Sequence, residues 1–431
     1  MSMLIKNAQI ITMNDDQLII SRGYLRMEGN LISEIGSGDA PSGPFERVIE
    51  GQGRVVLPGF INTHTHAAMT LLRGYADDLP LMEWLQTKIW PLEDRLTGED
   101  IYWGSMLAVT EMIKSGTTTF SDMYFFMEET ARAVEKTGIR AVLSRGMVGV
   151  GPENEKAMVE SADLVQHWQG QAGGRILTRL GPHAPYTCPP DYLRRVMRLA
   201  DELGVGLHIH IAETQVEKSD ILAQYGKTPV RHLESLGLFS RPVLAAHCVH
   251  VDAEEIRILK DYGVGVAHNP ESNMKLASGI APVPEMLAAG IPVALGTDGA
   301  SSNNNLDMLQ EMRSSAFLHK VNKMDPTVLP AYQALEMATC NGARALGLDR
   351  EIGSLEVGKK ADMILLNLNQ AHLLPAYDLV ANLVYSAAAG DVETVIIDGQ
   401  LVMEDRIIKT FDEQEVLRAA VQTARGLVGS R

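Results

Sequence analysis

The chain has 431 residues, 45% of them hydrophobic, and a formal charge of -16 from 38 basic and 54 acidic side chains. The excess of carboxylates excludes a nucleic-acid surface and an anionic-membrane surface, since both need clustered Lys and Arg. Cys188, Cys248 and Cys340 are scattered, which excludes a disulfide framework and a C-x-x-C thiolate site and fits a reducing compartment.

No basic-then-apolar leader is visible and no apolar run is long enough to span a bilayer, so a cytoplasmic protein is expected. Residues 1–56 read as short strands with turns: Leu4-Ile5, Ala8 to Ile11, Leu18 to Ile20, then Gly29-Asn30 and the alternating Leu31 to Ile35. The C-terminal part has the same texture. Met363 to Leu366 is strand-like, and Val392 to Ile397, the turn Asp398-Gly399 and Gln400 to Val402 form a hairpin signature. Both ends therefore read as one small β domain, followed by a helix from Asp412 to about Leu427.

Between them, short apolar runs alternate with amphipathic stretches. Candidate strands cover 59–64, 117–123, 140–146, 176–183, 206–212, 243–249, 264–269 and 292–297. Helical spacing covers 99–115, 127–136, 155–169, 190–203, 217–234, 253–261 and 282–289. About eight such units over about 300 residues is what a (β/α)8 barrel needs. An open doubly wound sheet is the alternative, although no G-x-G-x-x-G follows the first strand. Residues 67–98, with Trp84 and Trp90, form an insertion expected to cover one end of the barrel.

The chemistry gathers at the strand ends, where such barrels carry their sites. The first candidate strand runs into His64-Thr65-His66, and residues i and i+2 of a strand face the same way. His183, His208, His210, His247, His268 and Asp298 fall at later strand ends, so seven of 12 histidines sit in these positions. A lone histidine is more often a satisfied core residue, but convergence of this many points to a metal centre. Three histidines and a carboxylate with one open position is catalytic-site chemistry for a first-row metal, which lowers the pKa of a water toward about 7. His208 and His210 share parity, and His210, nearer the strand end, is the better ligand. Glu213 has the opposite parity and reaches the site only if the strand ends near Ala212. There it can serve as general acid and base; otherwise it is an N-cap or surface carboxylate.

These residues, with "PGFINTHTH" and "GSLEVGKKADMILL", resemble the metal-dependent amidohydrolase superfamily over nearly the whole chain. "HNPESNMKLASGIAPV" and "LGTDGASSNNNLDM" look like its cytosine, guanine and adenosine deaminase and chlorohydrolase branch. "WPLEDRLTGEDIYWG" and "GPHAPYTC" look like the 5-methylthioadenosine/S-adenosylhomocysteine deaminases. The resemblance implies an α/β fold: a (β/α)8 TIM-like barrel over 58–351 and a small β-sandwich from 1–57 plus 352–431. It implies one divalent metal per subunit, zinc or else Fe2+, held by His64, His66, His210 and Asp298. It implies proton transfer by Glu213, with Asp298 as a second acceptor, and orientation of hydroxide and leaving group by His247. Substrate contacts would come from His183, and from Glu93 to ribose hydroxyls; a charged surface residue is the default reading for Glu93.

The implied reaction is hydrolytic deamination of a 6-aminopurine nucleoside, in a homo-oligomer (dimer or tetramer) with no nucleic-acid or membrane partner. A homocysteine carboxylate calls for arginines. Arg145 is one candidate, equally readable as an ion-pair partner, and 151–157 holds Lys156 but no second arginine. That tilts the expectation toward methylthioadenosine or adenosine. The rival readings are a guanine, pterin or cytosine deaminase or a triazine hydrolase, a barrel that has lost its chemistry, and a metal-binding module.

Overall fold

The apolar runs of the middle region become eight parallel strands in the computed structural model, which describes residues 2–429. They are β1 (Phe60–Thr65), β2 (Thr117–Tyr124), β3 (Arg140–Met147), β4 (Ile176–Pro182), β5 (Leu207–Ile211), β6 (Val243–His247), β7 (Gly265–His268) and β8 (Val293–Leu295). Every residue of β1, β2, β3, β5, β6, β7 and β8 is buried, as expected of strands covered on both faces, the polar ones included. Neighbours pair in chain order from β1 to β8, with helices on the outside.

The ring closes at the β1–β8 seam largely through side chains. Asn62 Nδ2 donates to Thr297 Oγ1 (2.7 Å), Thr297 N donates to Asn62 Oδ1 (3.0 Å), and Thr63 Oγ1 donates to the Leu295 carbonyl (2.8 Å). One backbone bond, Asp298 N to His64 O at 2.9 Å, joins the two strand ends directly. Gly296 makes this approach possible, since a Cβ there would lie 2.9 Å from His64 N and 2.5 Å from Asn269 Oδ1.

The outer helices are α1 (Gly98–Lys114), α2 (Met127–Thr137), α3 (Asn154–Trp168), α4 (Pro190–Leu203), α5 (Gln215–Tyr225), α6 (Pro229–Ser235), α7 (Ala253–Asp261), α8 (Val283–Ala288) and α9 (Met308–Lys323). The single helix expected over 217–234 is two, α5 and α6. Gly226 caps α5 with φ at 69°, and Pro229 starts α6 at a first-turn position where its missing N–H costs nothing.

Both termini contribute to one nine-stranded sheet. Its order is Ile407–Ile408, Gln400–Glu404, Val392–Ile397, Met363–Asn367, Arg54–Pro58, Ser2–Ile11, Ile19–Glu28 and Leu31–Ser37, with Arg47–Glu50 also pairing Ser2–Ile11. The two short strands expected at Leu4-Ile5 and Ala8 to Ile11 are one strand. It shifts register between Lys6 and Ala8 and again between Ala8 and Ile10, because Asn7 adopts φ 57°. The sheet has its own core, with Ile5, Ile10, Leu25, Val56, Met363 and Leu365 packed together. Arg54–Pro58 passes directly into β1 through Gly59, where a Cβ would strike Thr118 at 2.1 Å. The final helix, Glu413–Val428, leaves the sheet and packs on the barrel, Val416 meeting Met106 and Ala133.

Residues 67–98 fold as a 3-10 turn, Ala67–Leu72, and the short helical turns Leu81–Trp84, Leu85–Ile89 and Trp90–Glu93. Trp84, Ile89 and Leu92 anchor this segment in the main core. Glu93 lies at the C-terminal end of β2, hydrogen-bonded to Tyr124, so the insertion covers the mouth of the barrel as expected.

Candidate active site

At the C-terminal ends of the strands the side chains form two overlapping clusters that could hold a metal, His64 with His66 and Asp298, and His64 with His210 and His247. His66 Nε2 is 3.3 Å and His64 Nε2 3.5 Å from Asp298 Oδ1, and His210 Nε2 is 3.4 Å from His66 Nε2. Ligand atoms about 2.1 Å from a tetrahedral metal stand about 3.4 Å apart, and these three spacings are compatible with that. His64 Nε2 is buried with no hydrogen-bond partner, an orphan that a metal would satisfy. The donor set of imidazoles and a carboxylate is chemically suited to zinc or a related ion.

For His66 and His210 the opposite edge of the ring fixes the tautomer. His66 Nδ1 donates to the Met123 carbonyl at 2.6 Å and His210 Nδ1 to the His183 carbonyl at 2.7 Å. His64 Nδ1 lies 2.9 Å from His208 Nε2, and His208 Nδ1 lies 3.3 Å from Ser144 Oγ, whose own proton goes to the Asp122 carbonyl. His66 and His210, whose Nδ1 atoms donate to carbonyls, therefore turn a lone pair, not a proton, to the cluster. Burial pulls His64 down to about 4 and His210 well below the usual imidazole range, which keeps both neutral. His208 is thus placed behind His64 rather than in the site, because two residues of strand rise set it about 6.6 Å deeper than His210.

Asp298 is held as an anion. Burial alone would raise its carboxyl, but the imidazoles of His64, His66 and His247 around it outweigh burial and hold it well below the carboxylate range. Ser272 Oγ and Ser302 Oγ donate to Oδ2 at 2.6 and 3.1 Å, and Gly299 N donates to Oδ1 at 2.8 Å. Thr65 points away from the site, and its hydroxyl and the Ala67 amide both bond Asp122 Oδ1 at 2.8 Å, which pins the end of β1 to β2.

At the edge of these clusters stand Glu213 and His247, with Glu213 Oε2 at 3.8 Å from His247 Nε2. The parity problem at Glu213 is solved by the backbone. β5 ends at Ile211 and Ala212 adopts φ 52°, so alternation stops and Glu213 faces inward. His247, Cys248 and Asp298 also have positive φ (71°, 48° and 62°), so three strands leave the sheet through left-handed residues at this site. Burial raises the Glu213 carboxyl. Burial would depress His247, but the Glu213 and Asp298 carboxylates outweigh it and raise it. Its Nδ1 faces Asn273 Oδ1 at 2.9 Å, leaving Nε2 for the site.

At the mouth, Tyr124 OH donates to Glu93 Oε1 at 2.7 Å, and the Tyr124 and His66 rings lie 6.2 Å apart. Burial raises the Glu93 carboxyl. The His183 ring is 4.9 Å from that of His210, with Nδ1 engaged by Thr187 Oγ1 at 2.9 Å. Arg145, in register with Tyr124, pairs through Nε with Glu160 Oε2 at 2.8 Å and lies over the Phe125 ring. His268 is outside the cluster, against His319 behind β7, Nε2 to Nε2 at 3.3 Å.

Glu217, Asn273, Tyr124, Ser272 and Ser302 are the supporting residues that sequence reasoning missed. The Thr214-x-x-Glu217 spacing was the one readable signal, as a capping box. The others stand next to the site only through the fold.

Residues 55–402 match the Amidohydrolase family. A protein of Syntrophomonas wolfei named 5-methylthioadenosine/S-adenosylhomocysteine deaminase is 70% identical over 430 residues, covering 100% of both chains. One of the same name from Desulforamulus reducens is 56% identical over 429 residues, 99% of each. Among solved structures, an adenosine deaminase from Xanthomonas campestris with bound zinc aligns with TM-score 0.94 at 34% identity, over 99% of this chain and 98% of that one. A barrel with histidines clustered at the C-terminal strand ends, a family match over most of the length and full-length relatives lead to one conclusion: the chain belongs to the amidohydrolase family.

Proposed function

We propose that this enzyme deaminates 6-aminopurine nucleosides, with 5′-methylthioadenosine as the leading substrate and adenosine or S-adenosylhomocysteine as lesser ones, giving the inosine analogue and ammonia. The observation that carries the reading is Glu213 beside His247 at the histidine cluster, with Glu93 held at the mouth above them. The relatives named for methylthioadenosine and S-adenosylhomocysteine support it.

One divalent metal per subunit, zinc first and Fe2+ second, would be held by His64, His66, His210 and Asp298 and would make a water nucleophilic near neutral pH. Glu213 is placed to hold a proton, with Asp298 as the alternative acceptor, and to deliver it to purine N1 as oxygen adds at C6. The neighbouring carboxylates favour the protonated form of His247, whose Nε2–H then stabilises charge at the tetrahedral carbon. The hydroxyl added at C6 then gives its remaining proton, through Asp298 or Glu213, to the exocyclic nitrogen; the C6–N bond breaks as C6=O forms, and ammonia leaves. Glu93 Oε2, free of the Tyr124 bond, accepts from ribose hydroxyls, and His183 Nε2 meets the purine; both hold C6 in place.

The test is ammonia release from methylthioadenosine, S-adenosylhomocysteine, adenosine and guanine side by side, in wild type and Glu93→Ala. Nucleosides should be preferred, and Glu93→Ala should lose that preference. Faster turnover of guanine, or nucleoside activity indifferent to Glu93, overturns the reading.

A further inference from the structure

Glu217 makes an unusual connection. It sits in the first turn of α5, buried to 4% exposure, and its amide bonds the N-cap hydroxyl of Thr214 at 3.1 Å. In a capping box the carboxylate three residues into the helix returns to the N-cap amide. Here it reaches further back. Oε1 accepts from Ala212 N at 2.8 Å and Oε2 from Glu213 N at 2.9 Å. The carboxylate thus spans both amides of the left-handed turn that directs Glu213 inward.

Two preferences oppose each other at that turn. An alanine disfavours positive φ, and a return to extended backbone would swing Glu213 to the other face of the strand. The amides of residues 212 and 213, removed from water, need an acceptor, and both oxygens of Glu217 supply one. The Ala212 carbonyl is fixed too, by His250 N at 2.9 Å, so the turn is held on both edges.

We propose that Glu217 is a positioning residue for catalysis, whose two-pronged grip on the Ala212 and Glu213 amides sets the Glu213 carboxylate against His247. The proposal rests on Glu213 as the proton carrier of the deaminase reading, and the experiment separates the two.

Steady-state kinetics, metal content and melting temperature are measured for Glu217→Ala, Glu217→Gln, Glu213→Gln and the Glu217→Ala/Glu213→Gln pair. Glu217→Ala should lose about 100-fold in kcat with KM within about threefold and metal content unchanged. Glu217→Gln keeps one acceptor oxygen and should recover part of that loss. In the Glu213→Gln background, removing Glu217 should cost less than about threefold more, since a residue acting only through Glu213 has nothing left to position. A full additional loss there would mean a merely structural role and would overturn the proposal, as would near-wild-type kcat in Glu217→Ala. Near-wild-type turnover in Glu213→Gln would overturn the proton-carrier reading, and the proposal with it. If Glu217→Ala does not accumulate folded, Glu217→Gln in both backgrounds carries the same comparison.

Discussion

At the scale of single residues, Arg145 bears most directly on substrate choice. Its Nε is bound to Glu160, whose side chain is 33% exposed, so an incoming carboxylate must compete with one already in place. A neutral 5′-methylthio group faces no such competition. Glu160→Gln should therefore lower KM for S-adenosylhomocysteine about fivefold relative to methylthioadenosine, the worth of a partly exposed pair at about 1 kcal/mol. Parallel kinetics on the two substrates check this, and an unchanged ratio removes Arg145 from the recognition of the substrate tail. The clustering of histidines at strand ends was legible in the sequence, because that many there is improbable by chance. It left Glu213 undecided, because its direction depends on the sign of φ at Ala212, a residue whose type does not announce a left-handed turn. Asn273 and Tyr124 reach the site from neighbouring segments, and no local spacing encodes that.

Among the elements, the contact of β7 with α9 makes a measurable prediction. His268 and His319 face each other through their Nε2 atoms, so only one of those atoms can carry a proton. Burial draws His319 down to about 4, against about 6.5 in an unfolded chain. The unfolded state therefore takes up the proton first, and stability falls as pH drops from about 6.5 toward 4, by about 3 kcal/mol from this group. His319→Asn should show a shallower loss than wild type over that window in metal-free urea unfolding. An identical slope would mean the pair does not titrate as described. All eight barrel strands were readable as short β-prone segments alternating with helical spacing, although β2, TTTFSDMY, is mostly polar. The split between α5 and α6 was not, since helical spacing continues across Gly226 and Pro229 and only the cap geometry interrupts it.

For the whole molecule, the main electrostatic tie between barrel and terminal sheet is Arg140. It stands at the start of β3, the end of the barrel away from the site, and is 4% exposed. Its Nε bonds Asp362 Oδ2 at 2.8 Å, and its Nη2 lies 3.5 Å from Asp398 Oδ1. Asp362→Ala leaves a guanidinium buried with one distant partner and should cost about 3 kcal/mol of stability. The denaturant midpoint should fall, while kcat of the remaining folded enzyme stays unchanged. A fall in kcat instead would mean that this end of the barrel communicates with the other.

The seam between β1 and β8 has a consequence for how the enzyme comes into being. Asn62 and Thr297, which close it, are 235 residues apart in the chain, and the donors His64 and Asp298 flank them. Contacts of such separation form late, because loop-closure entropy must be met first. The terminal sheet has the same dependence, since Arg54–Pro58 pairs with Met363–Asn367. A chain still emerging from the ribosome thus owns three histidine donors long before it owns a ring to hold them in. The cluster cannot assemble until residue 298 has been made, and a barrel cut short of β8 lacks it.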